Sequence, residues 1–223
     1  MERSYKILST KLLPEAEKTP LFAYDYLEKA FISVTTNNNF QVVSLIDFAV
    51  FTSQNAVKAI FEHPIYKTTV FKQVFCVGEK TAQLLKAHNI AVNIVCLNAA
   101  DLAKVLIQTL TKSDQITFFC GDLRRDELPD LLRDHEIEVC EIEVYTTKLV
   151  GEKLNTTFDA VLFFSPSAVK SYVASENSLN TIAFCIGNTT AVAAIMEFEN
   201  VYVAEIPSVA SVFALLQEVL PTE

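Results

Sequence analysis

DFAVFTSQNAV, residues 47–57, returns as DAVLFFSPSAV at residues 159–169. In both copies an aspartate leads an apolar run into a serine, Asp47 into Ser53 and Asp159 into Ser165. Ala-Val-Lys then follows, ending at Lys58 and Lys170. Downstream, FCVGEKTA (75–82) is answered by FCIGNTTA (184–191). Each copy passes from an aromatic and β-branched run through a hydroxyl residue into a helical apolar pattern, which predicts a strand followed by an N-capped helix. Two such copies mark an internal duplication of one α/β module. Solenoid repeats have much shorter periods.

The composition sets bounds on this reading. The chain has 223 residues, 51% of them apolar and 20% charged, enough for two small cores, and only 4 Gly and 7 Pro, too few for a low-complexity linker. No apolar run reaches the ~18 residues that would span a bilayer, and MERSYKILST lacks the apolar centre of a secretory signal. Five cysteines, an odd number without CxxC spacing, fit reduced thiols in a cytoplasmic protein, with Cys76, Cys120 and Cys185 expected inside buried strands. The net charge of −9 argues against nucleic acid as a partner. His63, His88 and His135 form no ligand spacing, so no metal is expected, and no GxGxxG, Walker or GxSxG motif is present.

Strands are predicted at 5–9, 31–36, 48–51, 70–77, 90–97, 116–120, 137–144, 160–164, 181–186 and 200–204. Helices are expected over 14–30, 54–62, 79–88, 100–110, from Gly121-Asp122 through 132, and over 167–174, 189–198 and 208–219. Alternating strands and helices with short connections predict doubly wound parallel sheets of flavodoxin-like type. The second module is short of a full sheet, and strand 5–9 is spare. A discontinuous domain of residues 1–33 plus 148–223 is therefore expected, with an inserted domain at 38–142 and linker strands at 34–37 and 143–147. A plain division into 1–145 and 146–223 is the simpler alternative.

Ligands of doubly wound sheets gather at the carboxyl ends of strands, where helix N-termini present unpaired N–H groups. Thr52, Ser53, Thr81, Ser165, Ser167, Thr189, Thr190 and Ser208 all fall at such ends, and Gly78 permits a tight turn there. Ordinary N-capping explains any single one of them. Their duplication favours a ligand held between two domains. Gly121, with Arg124 and Arg125, marks another strand end, either a carboxylate site or a self-paired surface among Asp122, Asp126 and Glu127. Tyr145 closes a β run at the domain junction, as a weak acid or as an aromatic plug.

In order, FTSQNAV (51–57), VGEKTA (77–82), FFCGDLRRDELPDLL (118–132), EVYTT (143–147), FFSPSAV (163–169), IGNTTA (186–191) and AEIPS (204–208) resemble the uroporphyrinogen-III synthases. The resemblance implies two α/β domains and a two-stranded linker. It implies a cofactor-independent reaction in the cleft between domains, the dehydration and cyclisation of hydroxymethylbilane with inversion of ring D through a spiro intermediate. It matches Tyr145 to the tyrosine that assists departure of the hydroxyl. Thr52, Ser53, Gly78, Thr81, Ser165, Ser167, Gly187, Thr189, Thr190 and Ser208 match cleft positions. A monomer acting on a small molecule is expected. The rival reading is a tetrapyrrole-binding or sensing module that kept the fold and lost the reaction.

Overall fold

The computed structural model describes residues 4–222. In chain order the elements are β1 (Lys6–Ser9), α1 (Glu15–Lys18), β2 (Asp25–Glu28), β3 (Ile32–Thr36), β4 (Leu45–Phe51), α2 (Gln54–Glu62), β5 (Val70–Val77) and α3 (Glu79–Ala87). Then come β6 (Ile94–Cys96), α4 (Ala99–Thr109), β7 (Gln115–Gly121), α5 (Glu127–Asp134) and β8 (Glu138–Leu149). The last are β9 (Ala160–Phe163), α6 (Pro166–Ala174), β10 (Ile182–Cys185), α7 (Asn188–Ile195), β11 (Asn200–Val203) and α8 (Val209–Val219). The chain divides into two compact units, one running to Ser33 and resuming at Lys148, the other Val34–Thr147.

The first unit holds a five-stranded sheet in the order β11-β10-β9-β1-β2, with every pairing parallel. Central strand β9, Ala-Val-Leu-Phe, is buried at every position, as a strand covered on both faces must be. Alternation sorts its side chains. Ala160 and Leu162 join Ile7, Phe184 and the apolar stripe of α8, while Val161 and Phe163 join Leu8, Ala183 and the inner faces of α6 and α7. Strands β1 and β2 lead one way from the centre and β9, β10 and β11 the other, so the order reverses between β1 and β9.

The second unit has a six-stranded sheet, β3-β8-β7-β4-β5-β6, parallel from β8 to β6. Phe51, Val74, Cys76 and Phe119 pack under α2 and α3; Val50, Phe75, Phe118 and Cys120 pack under α4 and α5. Here the order reverses between β4 and β7. The first sheet has the flavodoxin-like succession, whereas the second runs β6-β5-β4-β7-β8, the other common doubly wound order.

Residues 14–30 differ from the expected helix. Only Glu15–Lys18 is α-helical; a 3-10 turn over Thr19–Ala23 follows, and then β2. Pro20 supplies no N–H for a longer helix. The alternation of exposed and half-buried side chains over Asp25–Glu28 suits an edge strand, which lies in register with β1, Lys6 opposite Asp25. Leu21 and Tyr24 face the core, and the Tyr24 hydroxyl donates to the Leu220 carbonyl at 2.8 Å.

Candidate functional site

Both units place their duplicated motifs at the carboxyl edge of a parallel sheet. In the second unit β4 ends at Phe51, and Thr52-Ser53 lead into α2. Ser53 is its N-cap, with its Oγ accepting from the Asn55 N–H at 3.1 Å. On neighbouring β5 the equivalent position is Gly78, whose φ of +85° lies in the region that glycine alone enters freely. It caps α3, and Thr81 is buried in that first turn, its N–H donating to the Gly78 carbonyl.

The third component comes from β7 and β8. Gly121 lies opposite Tyr145 where the register slips between Cys120 and Gly121. The tyrosine ring crosses directly over Gly121: a Cβ there would stand 2.9 Å from Tyr145 Cδ2 and nearer still to Cε2 and Cζ. The backbone of Gly121 needs no positive φ, so the ring alone keeps this position bare. Seated this way, the Tyr145 hydroxyl reaches the end of β4 and donates to Ser53 Oγ at 3.2 Å. The pair spans the point where the sheet order reverses, the usual ligand crevice of such sheets. Burial raises the Tyr145 pKa above its ordinary value; the bond to Ser53 opposes the shift but does not cancel it. The phenol therefore stays protonated through neutral pH and serves as a hydrogen-bond donor.

Asp122 was not among the predicted site residues. Its Oδ1 accepts from the N–H groups of Thr147 at 2.8 Å and Leu123 at 3.0 Å, and its own N–H donates to the Tyr145 carbonyl. It clasps the loop after β7 to the strand that carries the tyrosine. The signal was the Gly-Asp pair closing an apolar run, since aspartate folds a chain back by accepting nearby backbone N–H groups. That turn also delays α5, which begins at Glu127 and not straight after Gly121. Arg124 is engaged by Asp126 and Glu141, the self-paired alternative for this stretch. Arg125 is exposed and makes no ion pair among the described residues.

The first unit repeats the caps without the tyrosine. Ser165 caps α6 and accepts from the Ala168 N–H at 3.1 Å; Ser208 caps α8 and accepts from Ser211 at 3.1 Å. Gly187 caps α7 in extended backbone, with Thr190 buried behind it and Thr189 exposed. Ser167 is half-buried in the first turn of α6. Lys11 follows β1 at this edge, its ammonium 6.0 Å from the centre of the Phe164 ring. A cavity of about 610 Å³ in this unit lies at the opposite edge, among Lys6, Asp159, Asn180 and Asn200, and includes none of the predicted site residues.

No three histidine, cysteine, aspartate or glutamate side chains come together to hold a metal among the described residues. His63 accepts from the Ile65 N–H through Nδ1, and His88 stacks on Phe61 at 4.1 Å, both local structural roles. No helix among these residues is long and apolar enough to cross a membrane.

The family model described as "Uroporphyrinogen-III synthase HemD" matches residues 28–214, which include every predicted site residue. This chain belongs to the uroporphyrinogen-III synthase family. The Porphyrin biosynthesis protein HemD of Ruminiclostridium josui is 23% identical over 186 residues, 75% of this chain and 37% of that protein. The matched region thus spans little more than a third of that curated relative. The crystal structure of uroporphyrinogen-III synthetase from Helicobacter pylori shares the fold with a TM-score of 0.70 at 19% identity, over 96% of this chain and 99% of that one. A mutant uroporphyrinogen III synthase from Thermus thermophilus does so with a TM-score of 0.65 at 15% identity, over 99% and 100%.

Proposed function

We propose that this chain converts hydroxymethylbilane into uroporphyrinogen III, expelling water and inverting ring D without a cofactor. The observation that carries this reading is the Tyr145–Ser53 pair at the reversal point of the second sheet, where a neutral donor can meet a departing hydroxyl. Elimination from a hydroxymethylpyrrole is driven by the ring nitrogen, so the protein needs no strong acid. It needs to hold the chain ends for closure, a proximity effect. The substrate's carboxylates suit helix N-termini such as those capped by Ser53 and Gly78, whose N–H groups bind anions without a basic groove. The net charge of −9 is no obstacle, because at physiological salt charges beyond ~8 Å are screened.

We place the protein in the cytoplasm, which its five unpaired cysteines support, and infer that it binds no nucleic acid, which its acidic composition supports; a monomer is proposed. The test is turnover. Mixed with excess hydroxymethylbilane, the protein should form many equivalents of isomer III per chain, above the isomer I that arises unassisted. Retention of one tetrapyrrole per chain without turnover would instead mark a binding module.

A further inference from the structure

The hydrogen-bond pattern around Ser53 assigns more than substrate binding to this residue. The Tyr145 O–H is committed to Ser53 Oγ, and the same oxygen accepts the Asn55 N–H. Both acceptor positions of the serine oxygen are filled, and only its own O–H remains to be given. We propose that Ser53 is a catalytic residue, the hydroxyl that donates directly to the departing oxygen, and that Tyr145 acts from behind it.

Two donors into one oxygen polarise the remaining O–H, as hydrogen bonds in a chain strengthen one another. Ser53 also sits at the N-terminus of α2, where the helix dipole favours developing negative charge. When the pyrrole nitrogen pushes out the hydroxyl, the carbon–oxygen bond breaks and its electron pair leaves on oxygen. The Ser53 O–H stabilises that oxygen by hydrogen bonding, as oxyanion donors do. The proton released when the terminal ring carbon closes the macrocycle then converts hydroxide to water. Neither Ser53 nor Tyr145 has to ionise, which agrees with the raised pKa of the tyrosine.

This inference rests on the proposed reaction, and its test separates the two. Wild type, Ser53→Gly, Ser53→Thr, Tyr145→Phe and the Ser53→Gly/Tyr145→Phe double variant are assayed for isomer III formation. Glycine is tolerated at an N-cap, so the helix survives while the hydroxyl is lost. Ser53→Gly should lower kcat at least about tenfold with KM within about twofold, and Ser53→Thr should recover most of the rate. Adding Tyr145→Phe to Ser53→Gly should cost less than about twofold more, because the tyrosine acts through the serine. Full kcat in Ser53→Gly, or additive losses in the double variant, would overturn the assignment. If wild type forms no isomer III, the reaction itself is wrong. In that event Ser53→Gly should still shift the tyrosinate titration seen by ultraviolet absorbance, and an unchanged titration would refute the hydrogen-bonded pair.

Discussion

Gly121→Ala is the sharpest perturbation of this site. Alanine suits a strand better than glycine does, and the Gly121 backbone lies outside the left-handed region, so a local gain would be expected. The Tyr145 ring reverses that expectation. The new methyl would stand 2.9 Å from Cδ2 and closer to Cε2 and Cζ, whereas carbons rest at about 3.5–4.0 Å. The ring must therefore retreat by roughly 1 Å or more. The hydroxyl starts 3.2 Å from Ser53 Oγ, already long for an O–H···O bond, so displacing the ring weakens or breaks it. Overpacking of this kind costs about 1–3 kcal/mol and the lost hydrogen bond about 0.5–1.5. Gly121→Ala should lower stability by about 2–4 kcal/mol in urea unfolding. In a Tyr145→Ala background, where the space is open, the same change should cost less than ~0.5 kcal/mol. Equal costs in both backgrounds would refute the claim that the glycine exists to seat the tyrosine.

Other outcomes follow from the same geometry. Tyr145→Phe should slow isomer III formation by at least about tenfold while leaving the fold intact by circular dichroism, since Ser53 then loses the donor that polarises its hydroxyl. Ser165→Ala and Ser208→Ala each remove an N-cap and should cost about 0.5–2 kcal/mol in urea unfolding, with Ser165→Gly milder. Gly78→Ala should destabilise by about 1–2 kcal/mol because φ is +85° there. Burial raises the thiols of Cys76 and Cys120 from 9.0 to about 11 and that of Cys185 to about 12. The unfolded chain then gives up these protons first. Stability should be full below pH 9 and fall by about 1 kcal/mol or more per pH unit as pH rises toward 11. A urea midpoint that stays flat from pH 8.5 to 10.5 would contradict this.

The duplicated stretches were legible because each carries its own signals. Ser53 before Ala56, Val57 and Ile60 forecasts a capped amphipathic helix, found at Gln54–Glu62, and the β-rich run 70–77 forms β5. Where long-range pairing decides the outcome, local sequence carries less information. Apolar residues in 14–30 mimic helical spacing, yet Pro20 and the free edge of β1 draw Asp25–Glu28 into the sheet. The run at 90–97 shrinks to Ile94–Cys96, because Asn93 exchanges hydrogen bonds with Val74 through its side chain and backbone before the strand begins. At the site, Ser53 and Ser165 could be placed from capping rules. The Tyr145–Ser53 bond and the bare surface of Gly121 join residues far apart in sequence, and no local pattern announces them.

Directed closure of a linear tetrapyrrole is the activity proposed for this chain. Hydroxymethylbilane generated in the presence of the purified protein, followed by oxidation and chromatographic separation of the uroporphyrin isomers, tests it most directly. Isomer III should form in excess, rising with protein concentration and falling in Tyr145→Phe. Isomer I alone, the product of unassisted closure, from a correctly folded protein would contradict it.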